Sequence, residues 1–306
     1  MRLLLVDENS EFSLTDDLVS NIPPYAILSH TWAEDDEEVN FRDLTIGPRR
    51  TKSGYKKLRF CAERASRDGL QHFWVDTCCI DKANNTELSE AINSMFRWYQ
   101  KADKCYVYLS DISTGDHSQA NTSWEEAFRQ SRWFRRGWTL QELIAPASVE
   151  FFCSNGNRLG DKISLERQLH EITGIAVLAL QGIRLSTFSI NERMIWAENR
   201  ETKREEDKAY SLLGIFDIHM PLIYGEGKEN ALARLHEEIH RRRNQHRPDE
   251  ILRTLQPQRG QSSTVSSPRN TRPLNSRPPI QLEFFSHSSK YKTLIIDNNG
   301  ILTGGR

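Results

Sequence analysis

The sequence has no excess of either charge: 41 Lys and Arg stand against 42 Asp and Glu in 306 residues. A chain so balanced offers no overall field to nucleic acid, an anionic membrane or an acidic partner, so any ligand must be held by local groups. Long apolar runs are missing too. The amino-terminal MRLLLVDENS holds an apolar run too short for a signal peptide, and nothing later approaches the roughly 20 residues of a membrane helix. A soluble, cytoplasmic chain with no membrane span is expected. The five cysteines, Cys61, Cys78, Cys79, Cys105 and Cys153, are odd in number, sit in apolar segments and lack paired metal-ligand spacing. Reduced, buried thiols and no metal site are the expectation. There is no P-loop, because GEGK at 225–228 lacks the earlier glycine and the following Ser or Thr, and no internal repeat. What the chain does have is 37% hydrophobic and 27% charged residues, enough for a full core in one sizeable domain with appendages.

Hydrophobic patterning organises that domain. YAILSHTW (25–32), HFWVD (72–76), KCYVYLSD (104–111) and SVEFFC (148–153) read as short buried strands. Helical stretches separate them. Tyr55, Leu58, Cys61 or Ala62, and Ala65 have helical spacing with Gly69 placed to end the helix. A second helix carries Leu88, Ile92, Met95 and Tyr99 behind an Asn84/Glu87 capping signature, and Ser123/Glu126 and Ser189/Glu192 repeat that spacing. Strands alternating with helices predict an α/β fold: a parallel sheet flanked by helices over residues 1–160. A helical extension follows over 161–240. Residues 241–279, rich in Arg, Ser, Pro, Gln and Asn, read as a disordered linker, and 280–306 as a hairpin-like tail turning at Asn298, Asn299 and Gly300.

In open α/β sheets, sites form beyond the carboxyl ends of the strands, which directs attention to the loops beginning at Ser29, Asp76, Asp111 and Ser154. Ser29, His30 and Trp32 follow the first strand. His30 could donate to a phosphate or serve acid/base chemistry, and equally could be a hydrogen-bonded structural histidine; Trp32 lines a cleft or plugs the core. Asp76 and Asp81 follow the second strand, where they could bind ribose hydroxyls or turn the loop through their own backbone. In GWTLQELIAP (137–146), helical spacing puts Leu140, Leu143 and Ile144 on one stripe, with Trp138 and Glu142 together on the other side. Solvated surface and lined pocket are the two readings of that pair. Adjacent Cys78 and Cys79 are read as buried rather than reactive.

The stretches YAILSHTW, WVDTCCIDK, SEAINSMFRWYQ, CYVYLSD, SRWFRRGWTLQELIAP, RMIWAENRETKREEDKAYSLLGIF and MPLIYGEGKENALARLHEEI closely resemble, in order over about residues 22–240, the fungal heterokaryon incompatibility (HET) domain. That resemblance implies non-self recognition with programmed cell death, and an incompatibility or NLR-type receptor as partner. Without a P-loop or repeats, the chain looks like a stand-alone or short HET protein. A more distant resemblance, by element order, is to Toll/interleukin receptor (TIR) domains, implying a flavodoxin-like, TIR-like core and self-assembly. In TIR domains that cleave NAD the glutamate of the SRWFRRGWTLQEL-type helix is catalytic, which implies that role for Glu142, with Ser29, His30, Trp32, Asp76, Asp81 and Trp138 binding NAD as substrate. No tightly bound cofactor is implied. The alternative is a non-enzymatic module that oligomerises and recruits cell-death partners, with Trp138 and Glu142 as an interface pair.

Overall fold

The computed structural model describes residues 1–7, 11–45, 51–114 and 124–255, and the short strands within 281–304; beyond residue 245 only the backbone course is described. Two compact units appear, Met1–Thr254 and Leu255–Arg306.

The first unit is built on a seven-stranded sheet. In chain order its strands are β1 (Leu4–Val6), β2 (Phe12–Leu14), β3 (Tyr25–His30), β4 (His72–Trp74), β5 (Lys104–Leu109), β6 (Val149–Cys153) and β7 (Arg158–Asp161), and in space they run β2-β1-β4-β3-β5-β6-β7. The four strands expected from the sequence form the centre, β4-β3-β5-β6, and all three of their pairings are parallel. Every residue of β3 is buried, as the continuous apolar run of a strand covered on both faces requires. The sheet is nonetheless mixed. β1, β2 and β7 add antiparallel pairings at its edges; at three or four residues each they are too short to show a period.

The helices follow their sequence signals where the signal is a stripe. After α1 (Phe41–Thr45) comes α2 (Tyr55–Arg67), which buries Tyr55, Leu58, Cys61 and Ala65 and stops at Gly69, whose φ of +76° is costly for any residue with a Cβ. In α3 (Asn85–Lys101) the Asn84 side chain caps the N–H groups of Thr86 and Glu87, and Ile92, Met95 and Tyr99 are buried. Glu87 does not complete the box. Its carboxylate accepts from the Asp81 N–H and pairs with Arg2. α4 (Trp124–Gln130) begins after Ser123, which lies outside the described residues.

A 3₁₀ turn at Arg132–Arg135 leads into α5 (Thr139–Ile144), all six residues of which are buried. The expected two-sided helix is therefore corrected: α5 has no solvent face. It packs against α3, β3 and α7 (Val177–Leu180), the last reached after α6 (Glu166–Thr173). Then come α8 (Ile190–Glu198), with both bonds of the Ser189/Glu192 box, α9 (Asp207–Tyr210), α10 (Leu213–Phe216) and α11 (Gly227–Leu255). Helix α10 seats closely on α3. A Cβ on Gly214 would fall 2.1 Å from the Phe96 Cβ. The predicted linker begins as helix, because α11 runs to Leu255; residues 256–280 lie outside the described residues.

In the second unit β8 (Gln281–Phe284), β9 (Lys292–Ile296) and β10 (Leu302–Gly304) form an antiparallel sheet in the order β10-β9-β8. The expected hairpin corresponds to β9 and β10. Its turn residues lie outside the described set.

Among the described residues no helix is long and apolar enough to cross a membrane. All five cysteines are buried and unpaired, and burial pushes the thiols of Cys61, Cys78 and Cys105 well up, away from the thiolate that nucleophilic chemistry needs.

Candidate functional site

The chain passes from β3 to β4 on one side and then to β5 on the other, so the carboxyl ends of β3 and β5 flank the reversal point where open α/β sheets place ligands. Ser29 and His30 end β3 there, and Thr31 Oγ1 lies 3.3 Å from Ser110 Oγ after β5. Asp111 receives Ser131 Oγ at 3.0 Å and the Arg132 N–H at 2.8 Å. That contact steers the chain into the 3₁₀ turn and brings α5 under the end of β3.

Glu142 arrives buried, 6% exposed, with Oε2 2.5 Å from Ser29 Oγ. The indole Nε1 of Trp133 donates to the same hydroxyl at 2.8 Å. An indole N–H can only donate, so the Ser29 hydroxyl is left to donate to the carboxylate. Burial raises the Glu142 carboxyl to about 7, against the attraction of Arg136 and the bonds from Ser29 and Tyr99. A carboxyl poised between its two protonation states near neutrality suits a group that must stabilise a developing cation or take a proton.

A second set of bonds gathers around Asp76. Asp76 Oδ1 meets His30 Nε2 at 3.0 Å and its Oδ2 accepts the Trp32 Nε1–H at 2.9 Å. His30 is 3% exposed, and its ordinary pKa is lowered by burial and by the Lys57 ammonium. Lys57 Nζ donates to Nδ1 at 3.2 Å, so neutral His30 carries its proton on Nε2 and gives it to Asp76. Both nitrogens are committed, and His30 is thereby a positioning group. Lys57 also donates to the Thr31 carbonyl and pairs with buried Glu38. Against burial, Lys82, His30 and Arg136 hold the Asp76 carboxyl below its ordinary range. The Trp32 ring carries Lys82 Nζ 3.8 Å and Arg136 Cζ 4.4 Å from its centroid, both within cation–π range.

Of the residues singled out in the sequence, Ser29 and Glu142 thus belong to one hydrogen-bonded set and His30, Trp32 and Asp76 to a second, the two coupled through charge. Two stand apart. Asp81 turns its own loop, accepting the Ala83 N–H at 3.1 Å. Trp138 donates from Nε1 to Asp207 Oδ2 at 3.2 Å, and Tyr224 donates to Oδ1 of the same carboxylate at 3.0 Å; Trp138 joins α5 to the helical extension. Sequence reasoning missed Trp133, Lys57, Lys82, Arg136 and Arg200. Lys57 had a readable signal, since it shares the buried stripe of α2 with Cys61 at i+4. Arg200 had none. It comes from beyond α8 to donate to the Arg136 carbonyl and to Thr139 Oγ1 at 3.0 and 2.8 Å. Lys162 closes the other end of α5, donating to the Pro146 carbonyl at 2.6 Å. Burial lowers Arg200 to about 10 and Lys162 to about 8. Among the described residues no group of three or more His, Cys, Asp or Glu side chains is arranged to hold a metal ion.

Comparison with known proteins gives these residues a family. Residues 25–120 match the family model described as Heterokaryon incompatibility protein (HET), a span that includes Ser29, His30, Trp32, Asp76 and Lys82. The Vegetative incompatibility protein HET-E-1 of Podospora anserina is 61% identical over 241 residues, covering 78% of this chain and 18% of that protein. The chain thus matches less than a fifth of the length of this curated relative. No solved structure matches the chain.

Proposed function

We propose, on the premise that this chain carries a fungal heterokaryon incompatibility domain, that it acts in vegetative incompatibility as a cell-death effector by hydrolysing NAD at Glu142. The observation that carries the reading is Glu142 itself, a buried carboxyl held by Ser29 at the reversal point of the sheet and raised to about 7. The parallel order β4-β3-β5-β6, which is 2-1-3-4 counted along these four, supports the TIR-like reading, because flavodoxin-like sheets begin with that order.

The chemistry follows from the groups present. The bond between the nicotinamide nitrogen and ribose C1′ breaks, and its electron pair leaves with neutral nicotinamide. Positive charge develops on the ribose ring, and the ionised Glu142 carboxylate stabilises it. Water then bonds to C1′ and gives up a proton, so NAD and water yield ADP-ribose, nicotinamide and one proton. Asp76, fixed by His30 and Trp32, would accept from a ribose hydroxyl.

Incubation of concentrated protein with NAD tests this. Wild type should release nicotinamide, and Glu142→Gln should lose at least about a hundredfold in kcat, as expected for removal of a charge acting on the transition state. Release that is unchanged by the substitution sinks the role of Glu142; no release at any protein concentration sinks the hydrolase reading. A second reading is favoured by the exposed apolar side chains Leu178 and Ile183 around α7, 56% and 45% accessible: a surface for self-assembly or for docking an incompatibility receptor. Cell death that persists with Glu142→Gln would select it.

A further inference from the structure

We propose that Lys82 and Arg136, gathered on the Trp32 ring, form a pyrophosphate-binding subsite that takes the diphosphate bridge of a dinucleotide. The proposal rests on the hydrolase reading for its substrate, and on independent geometry for its location. Both cations contact one indole, at 3.8 and 4.4 Å from its centroid, and that indole is anchored to Asp76. Two cations are therefore brought together at one fixed place, although they come from loops 54 residues apart in the sequence (136 − 82).

The cations nearby are matched unequally. Lys57 is matched by Glu38 in a buried pair. Asp76 offsets Lys82, 3.9 Å away. Asp35, on the acidic loop after β3, is held by Lys203 at 2.7 Å. No carboxylate among the described residues forms an ion pair with Arg136, and Arg200 adds a second cation behind α5 against the single Glu142 carboxyl. Arg136, held on the Trp32 ring without an ion-pair partner among the described residues, is the cation left to take a phosphate-bearing ligand.

The two cations also divide the work. Lys82, at 36% side-chain exposure, is a compact point charge, whereas the Arg136 fork can bridge two phosphate oxygens at once. Arg136 bears electrostatically on both Asp76 and Glu142.

ADP-ribose, which keeps the diphosphate and lacks nicotinamide, is the probe. Isothermal titration calorimetry would compare wild type, Lys82→Gln, Arg136→Gln, the double variant and Asn84→Ala, each checked for folding by thermal melting and near-UV circular dichroism. Each single charge removal should weaken binding about tenfold or more, the scale of a lost bond to a charged group, while Asn84→Ala, at the cap of α3, retains it. In wild type, added salt should weaken ADP-ribose binding and leave adenosine binding unchanged; this measurement stands even if the double variant fails to fold. No ADP-ribose binding by wild type, salt-insensitive binding, or a folded double variant within about twofold of wild type would overturn the subsite. The two readings separate cleanly. ADP-ribose bound through these residues without nicotinamide release removes the hydrolase and keeps the subsite, whereas nicotinamide release with KM unchanged in the folded double variant removes the subsite and keeps the hydrolase.

Discussion

Helices α3 and α5 lie against each other and are stabilised in opposite ways. α3 has 17 residues, an apolar stripe and its own Asn84 cap. α5 has six residues, no exposed side and no side-chain cap from its own N-terminus. Its ends are held by Arg200 and Lys162, cations contributed from after α8 and after β7. A helix this short does not persist on its own propensity. It is a product of what surrounds it, and it carries the one carboxyl on which the proposed chemistry depends.

Removing the distant clamp should expose the difference most strongly. Arg200→Ala deletes the bonds to the Arg136 carbonyl and Thr139 Oγ1 and empties a buried position that ties α5 to the extension. A loss of about 3 to 5 kcal/mol in urea unfolding is expected, accompanied by loss of the Ser29–Glu142 contact. A cost within about 1 kcal/mol would mean that α5 is held in place without the extension.

The next effect concerns charge within α5. The Glu142 carboxyl is raised from its ordinary 4.5 to about 7 in the folded protein, so the folded state binds that proton more tightly than the unfolded chain. Its contribution is complete below about pH 4.5 and is lost as pH rises through about 7. Glu142→Gln should therefore flatten the stability profile over that window and stabilise the protein above pH 7 by on the order of 3 kcal/mol. Unfolding measured from pH 4 to 8 checks the slope; identical profiles would place the carboxyl in a more hydrated setting. Gain of stability with loss of activity is the pattern of a group kept for function.

The smallest effect belongs to the self-sufficient helix. Asn84→Ala should cost about 1 kcal/mol, the typical value of an N-cap, with nicotinamide release unchanged. A larger loss would show that the cap also supports the Asp76–Asp81 loop through the Glu87 bond to the Asp81 N–H.

The same contrast explains what was legible. The central strands, α2, α3 and the Ser189/Glu192 box follow from stripes, buried runs and caps that each occupy one window of sequence. Ser29, His30, Trp32, Asp76 and Glu142 could be placed near the carboxyl edge of the sheet because they sit at strand ends or on a motif-bearing helix. Trp133, Lys82 and Arg136 were missed although they lie in the same stretches, because nothing in the pattern says that a tryptophan will donate to Ser29 or that two cations will share one indole. Trp138 and Glu142, paired on a helical wheel, take different partners once α5 is enclosed.

By itself the sequence determined the α/β class, the parallel centre of the sheet and the loops at its carboxyl edge, since hydrophobic period and capping are local and survive in any context. Only the tertiary structure decided that Glu142 would be buried beneath Ser29, that His30 would be neutral and fully bonded, and that Trp32 would gather Lys82 and Arg136. Those outcomes depend on desolvation and on charges brought close by chain crossings, and neither quantity exists until the chain is folded.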